Sequence, residues 1–208
     1  MTVDSGPILI KPPREVKSFG LRRLSWHSHA AQNSKRDGAD QREDRFGAMG
    51  NVHVQETDLT CPNFEQSWQE RLDTIFCSNV LEHLGPHREV LSSFHRALEP
   101  GGHCIIIVPA EPSLFTPLDE SLGHYRRYRA SELRELMRST GFEVVHERQI
   151  CKAGAAAWWF NGRILRRRNL TPRQMIWFDR LWPLLRLLDR VLPWPGMSLI
   201  CVGRKACE

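Results

Sequence analysis

Between Phe46 and Ile150 the apolar residues alternate between short continuous runs and stretches with helical spacing. NVHVQ is a short strand candidate ending near Asp58, and LDTIFCSNVL reads as a buried strand. Pro86 suits a first helical position and Gly101-Gly102 a stop. Between them Val90, Leu91, Phe94, Ala97 and Leu98 recur on one helical face. HCIIIVPA is a nearly pure β-branched run, as a strand buried on both faces requires. SELRELMRST repeats the helical spacing with Leu133, Leu136 and Met137, ends at Gly141, and gives way to FEVVHERQI, another strand. This alternation predicts an α/β fold: a mostly parallel sheet with right-handed crossovers and helices on both faces.

The flanks are patterned differently. Residues 1–44 hold a short PILI run, Pro12-Pro13 and then a polar, charged stretch without periodicity, which reads as loop. Residues 152–195 hold five of the seven tryptophans (Trp158, Trp159, Trp177, Trp182, Trp194) among eight arginines, with Leu and Ile between them. Helical segments broken at Pro172 and Pro183 are expected there, followed by MSLICVGRK as a strand that could close the sheet. The division is therefore a poorly patterned segment, 1–44, and a domain, 45–208, with 152–195 as a helical insertion before its last strand.

At 208 residues the chain can bury one ordinary core. Its formal charge of +5 is concentrated in the Trp/Arg segment, which is either a packed insertion with a solvated face or a basic amphipathic surface for anionic lipid. Nucleic acid is not expected, because the basic residues accompany no recognisable binding module. The six cysteines include no C-x-x-C pair, which argues against zinc. Three of them fall in or beside apolar runs and read as reduced core residues. With no signal-like leader and no apolar run near the roughly 18–20 residues that span a bilayer, the expected location is cytoplasmic, with peripheral membrane contact through 152–195.

In open α/β sheets, ligands sit beyond the carboxyl ends of strands. Asp58, Asn79 to His83, and Pro109 to Glu111 fall at or just after three such ends. Glu82 and His83 read either as a capping carboxylate with a hydrogen-bonded histidine or as site residues. The sequence HLGPH is not a zinc pair, because Gly85-Pro86 breaks the helix that would align His83 with His87, and no metal is expected. GHYRRYR is either an exposed loop or a lid whose tyrosines and paired arginines grip an anionic or sugar-like acceptor.

Taken in order, DTIFCSNVLEHL, ALEPGGHCIIIVPA, LGHYRRYRASELRELMRSTGFEVV and PGMSLICVGRK resemble the C-terminal part of class I S-adenosylmethionine-dependent methyltransferases, over roughly Phe46 to Lys205. The resemblance implies a Rossmann-like methyltransferase sheet, with S-adenosylmethionine as cofactor and a small-molecule, lipid-linked or sugar-like acceptor. It assigns Asp58 to the adenine end of the cofactor. Asn79, Val80 and Leu81 fall to the floor beside the methionine moiety, and Glu82 and His83 to the acceptor pocket. It also assigns His124, Tyr125, Arg126 and Tyr128 to a covering loop, and makes His83 or His124 the base. One part of the pattern is missing: no apolar strand leads into a G-x-G-x-G turn, and the nearest glycines, Gly47 and Gly50, stand directly before NVHVQ. The N-terminal βα units are thus absent or degenerate. Two readings follow, a methyltransferase and a non-catalytic remnant that binds a membrane surface or a protein.

Overall fold

The computed structural model describes residues 57–68, 71–167, 171–189 and 191–207. The NVHVQ strand, Gly47, Gly50 and the segment 1–44 lie outside the described residues. Within them, β1 (Leu72–Ser78) leads to α1 (His87–Ala97), β2 (Leu98–Pro109), the short α2 (Pro117–Ser121), α3 (Ala130–Ser139) and β3 (Phe142–Ile150). Next come α4 (Lys152–Trp159), a π-helical turn (Phe160–Ile164), α5 (Pro172–Leu188) and β4 (Ser198–Lys205).

Local chemistry accounts for several boundaries. Proline disfavours helical geometry in the residue before it, so Pro100 forces Glu99 out of α1, and the helix ends at Ala97 before the expected Gly101-Gly102 stop. Gly101, at φ 79°, then lies within β2, where the pairing with β1 slips between Leu72 and Thr74. In α5, Pro172 takes the first position, as proline does well, but Pro183 sits inside the helix and does not break it. Pro183 is exposed, so solvent can take the carbonyl that loses its donor.

The sheet order is β1-β2-β4-β3, with β1 parallel to β2 and β4 antiparallel to both neighbours. Three of the four strands therefore point the same way. Both crossovers step across the sheet in one direction, so crossovers of one hand place α1 and α3 on the same face. The contacts agree: Arg88 of α1 hydrogen-bonds Ser139 of α3, and the His95 ring meets Phe142 edge-on at 5.0 Å. The expected helices on both faces are thus not found among the described residues. Under α1 and α3 lie Ile75, Cys77, Cys104, Ile106, Val108, Leu199 and Cys201, all 1% exposed or less. On the other face Phe76 is 44% exposed. Each fully buried Ile, Val or Leu contributes roughly 1.5–3 kcal/mol, so the core is built on one side.

The inverted β4 follows from where the helical insertion begins and ends. Asp189, just past α5, accepts the N–H groups of Cys151 and Lys152 at 2.7 and 2.8 Å, where the chain leaves β3. Met197 N–H donates to the Cys151 carbonyl at 3.3 Å. The excursion starts and finishes on the carboxyl rim of β3, so the next strand can only run back from that rim. Gly196 passes so close to Ile150 that an added Cβ would stand 2.7 Å from the Ile150 nitrogen. Gly196→Ala is expected to lower stability by about 1–3 kcal/mol through overpacking, as a shifted urea midpoint with unchanged m-value would show.

Candidate active site

After Ser78 the chain must leave the sheet at once. Asn79 makes the turn at φ 53°, a left-handed conformation that asparagine tolerates better than most residues. Its N–H still donates to the Ile107 carbonyl at 2.8 Å. A single 3-10 turn over Leu81–His83 follows. Leu81 and Glu82 are fully buried, while Val80 and His83 are half-buried.

The loop before α3 is laced across this turn. Tyr125 N–H donates to the Glu82 carbonyl at 2.9 Å, Tyr128 N–H to Pro109 at 2.9 Å, and Glu111 N–H to Tyr128 at 3.0 Å. These bonds tie one segment to the carboxyl ends of both β1 and β2. They carry His124 to His83, with ring centroids 4.8 Å apart and planes inclined by 75°. Glu82 Oε1 stands 3.9 Å from His124 Nε2. Glu82, His83 and His124 are thus gathered in one place.

Asp119 organises the surroundings. It is fully buried in α2; its Oδ1 accepts from Arg127 Nε at 2.8 Å and lies 3.0 Å from His124 Nδ1. Its Oδ2 accepts from Thr116 N–H at 2.9 Å and Trp158 Nε1 at 3.1 Å. Arg127 also donates to the Ala110 carbonyl at 3.0 Å and lies 5.1 Å over the Trp158 ring. Of the paired arginines expected to grip an anion, Arg127 is therefore turned inward, and Arg126 stays near the surface beside Gly85. Tyr128 is buried as well; its hydroxyl donates to the Leu81 carbonyl at 3.2 Å and lies 2.8 Å from His87 Nδ1. Tyr125 is exposed.

The electrostatics divide the acids sharply. Burial works to raise the Asp119 pKa, but the His124 hydrogen bond, the Arg127 charge and its other donors hold it below the ordinary value. Glu82 has less help: burial pushes its carboxyl to about 8, against the pull of its own backbone amide and of Arg127, with Asp119 pushing it up. Neither Glu82 oxygen has a hydrogen-bond partner among the described residues. It makes no side-chain cap bond to the 3-10 turn, whereas His83 Nδ1 is hydrogen-bonded to the Gly123 carbonyl at 3.1 Å. Burial, with the nearby His124, depresses the His83 pKa.

Asp58 lies apart, on an exposed turn where its Oδ1 accepts from Thr60 N–H at 2.8 Å and Thr60 Oγ1 at 2.7 Å. Among the described residues its side-chain hydrogen bonds go to Thr60 and Cys61, and none joins it to Asn79, Val80 or Leu81. Asp119 escaped the sequence reading, while Arg127 and Trp158 entered it only as one of the paired arginines and as part of the Trp/Arg segment. The T-P-L-D stretch is a capping signature with proline at the first helical position, and it could have drawn attention to Asp119.

A family model described as a methyltransferase domain matches residues 11–147. The chain belongs to the class I S-adenosylmethionine-dependent methyltransferase family. The matched stretch takes in residues 11–44, β1, β2 and most of β3, and ends before the helical insertion and β4. It is 35% identical over 77 residues to a protein of Mycolicibacterium smegmatis named "Probable S-adenosylmethionine-dependent methyltransferase", a stretch covering 35% of this chain and 29% of that one. The alignment thus spans under a third of that relative's length. Its fold is similar to an O-methyltransferase family protein from Burkholderia thailandensis, at TM-score 0.50 and 16% identity over 83% of this chain and 41% of that one. It is likewise similar to an S-adenosylmethionine-dependent methyltransferase from Mesorhizobium loti, at TM-score 0.51 and 16% identity over 79% and 74%. At these identities the structural likeness is one of fold.

Removing one partner of a buried ion pair leaves the other charge stranded. Asp119→Ala is expected to cost about 3–5 kcal/mol, measured by denaturant unfolding. Glu82→Gln swaps a buried carboxyl, without a side-chain hydrogen-bond partner among the described residues, for a nearly isosteric amide, and is expected to cost clearly less than Asp119→Ala in the same measurement.

Proposed function

We propose that this methyltransferase moves a methyl group from S-adenosylmethionine to a hydroxyl on a lipid-linked acceptor, with the acceptor oxygen placed beside His83 and His124. The reading is carried by one observation: Glu82, His83 and His124 converge at the carboxyl end of β1, under a loop tied to the neighbouring strand end. Bound cofactor supplies an already activated methyl group on a sulfonium, so the protein has mainly to align the nucleophile and exclude water. The donor set suits such a group in kind. The Asp58 carboxyl, held below its ordinary pKa by the two Thr60 hydrogen bonds, would accept from adenine or ribose donors. Asn79, Val80 and Leu81 would form the floor. An imidazole within reach of the acceptor hydroxyl then takes its proton. His124 is the better positioned, because Asp119 fixes its ring.

Of small-molecule, lipid-linked and sugar-like acceptors, the lipid-linked kind is favoured by α4. Trp158 on that helix braces Asp119. Its neighbours Ala155, Ala156 and Trp159, with Leu114, Phe160, Trp194 and Pro195, line an open, apolar groove of about 490 Å³. An alkyl chain lying there would extend from an acceptor head near the histidines.

The same segment supports peripheral membrane contact. On α5, Ile176, Trp177, Leu181, Leu184 and Leu187 are 46–61% exposed and recur at helical spacing, with Arg173 and Arg180 on the same stripe. Apolar side chains interleaved with arginine offer an anionic bilayer surface both kinds of contact. Among the described residues no helix is long and apolar enough to cross a membrane.

The direct test is turnover with radiolabelled S-adenosylmethionine and hydroxyl acceptors of increasing alkyl length. The kcat/KM is expected to rise about three- to fourfold per added methylene, from about 0.8 kcal/mol of burial each, and Ala156→Trp should flatten that slope. A flat dependence in the parent would remove the lipid-linked assignment; no turnover with any acceptor would remove the enzymatic one. In co-sedimentation, anionic vesicles are expected to retain the chain at low salt and neutral vesicles to release it. Vesicle binding without any turnover would favour the non-catalytic membrane module.

A further inference from the structure

We propose that Glu82, His83 and His124 form a binding site for a divalent transition-metal ion, with three protein ligands and open positions for solvent or an acceptor oxygen. Each residue offers one ligating atom, and the three lie within 4.8 Å of one another. The His124 Nε2 to Glu82 Oε1 distance is already 3.9 Å. Metal bonds of about 2.0–2.2 Å require the set to contract, which side-chain rotation of the half-buried His83 can supply.

The hydrogen bonding of the two rings is the stronger argument. His83 Nδ1 lies 3.1 Å from the Gly123 carbonyl, which can only accept, so Nδ1 carries the proton. His124 Nδ1 faces the Asp119 carboxylate at 3.0 Å, with the same consequence. In the neutral imidazole the other nitrogen then bears the lone pair. Metal-bound histidine nearly always donates its second N–H to a carboxylate or a backbone carbonyl, and here one ring has each. Asp119 is itself fixed by Thr116, Arg127 and Trp158, so the second layer is rigid.

Glu82 supplies the independent observation. Its side chain has no exposed surface and neither oxygen has a hydrogen-bond partner among the described residues. An unpartnered carboxylate out of water is costly. A cation between it and the two ring nitrogens supplies the missing partner. Two imidazoles and one carboxylate suit zinc, iron or cobalt rather than magnesium or calcium, which favour oxygen ligands. This inference rests on the side-chain geometry and not on the methyl-transfer reading. With an ion present the histidines act as ligands, and the ion takes over acidifying the acceptor oxygen.

The test uses the full chain, stripped with chelator and titrated with Co²⁺ and Zn²⁺ by calorimetry, with the visible Co²⁺ spectrum recorded alongside. One site of micromolar or tighter affinity is expected, with ligand-field bands and no thiolate charge-transfer band. Mg²⁺ should give no heat. Glu82→Gln and His83→Gln should each weaken Co²⁺ binding at least about tenfold and remove the metal-dependent rise in melting temperature. If His83→Gln fails to fold, the nearly isosteric Glu82→Gln decides alone. The proposal is overturned by absence of Co²⁺ and Zn²⁺ binding, or by affinity unchanged in Glu82→Gln. A thiolate band would also overturn it, placing the ion on exposed Cys61 or Cys207. Because metal binding is read without turnover, a failed methyl-transfer assay leaves this result intact, and the converse holds.

Discussion

A carboxylate removed from water needs enough donors to replace its hydration, and Asp119 has donors from four other residues around it. They come from three stretches of the chain: Thr116 at the start of α2, His124 and Arg127 in the loop before α3, and Trp158 on α4. Satisfying this one group therefore fixes three segments against one another. The Arg127 charge keeps the network ionic, and its bond to the Ala110 carbonyl anchors it to the end of β2.

The contrast with Glu82 is instructive because the two acids are equally buried. Asp119 is surrounded by donors that hold its pKa down, whereas neither Glu82 oxygen has a hydrogen-bond partner among the described residues and burial pushes its carboxyl up. A half-satisfied polar cluster is a liability for folding, and such groups are found where a ligand completes them. The cluster lies on the rim where open α/β sheets bind ligands, which connects an energetic anomaly to the methyltransferase fold.

The helical insertion shows how one geometric constraint propagates. Its two ends are tied together by Asp189 at the carboxyl rim, so β4 must run antiparallel and enter between β2 and β3. That inversion leaves α4 next to Asp119, through Trp158, and leaves a stripe of α5 facing solvent. The tryptophans of this segment consequently divide: Trp158 is half-buried and bonded to the acid, while Trp159 and Trp177 are exposed.

Local pattern was enough to read β1, α3, β3 and β4 from the sequence, because a buried strand or an amphipathic helix writes its period directly into consecutive residues. It also marked Glu82 and His83, since a strand end in an α/β chain is a place defined by the strand itself. What tertiary structure alone decided was which distant residues join them. His124 arrives from 41 positions on, through backbone bonds to Glu82 and Pro109 that carry no side-chain signature. Arg126 and Arg127 are neighbours of one type, yet one lies near the surface and the other is buried, because only Arg127 meets Asp119 across the loop. Pro183 misled for a related reason: a proline's effect depends on whether solvent can reach the carbonyl it orphans, and exposure is a property of the folded surface. Periodicity records what each element buries, whereas a polar cluster depends on contacts between elements, which no local period encodes.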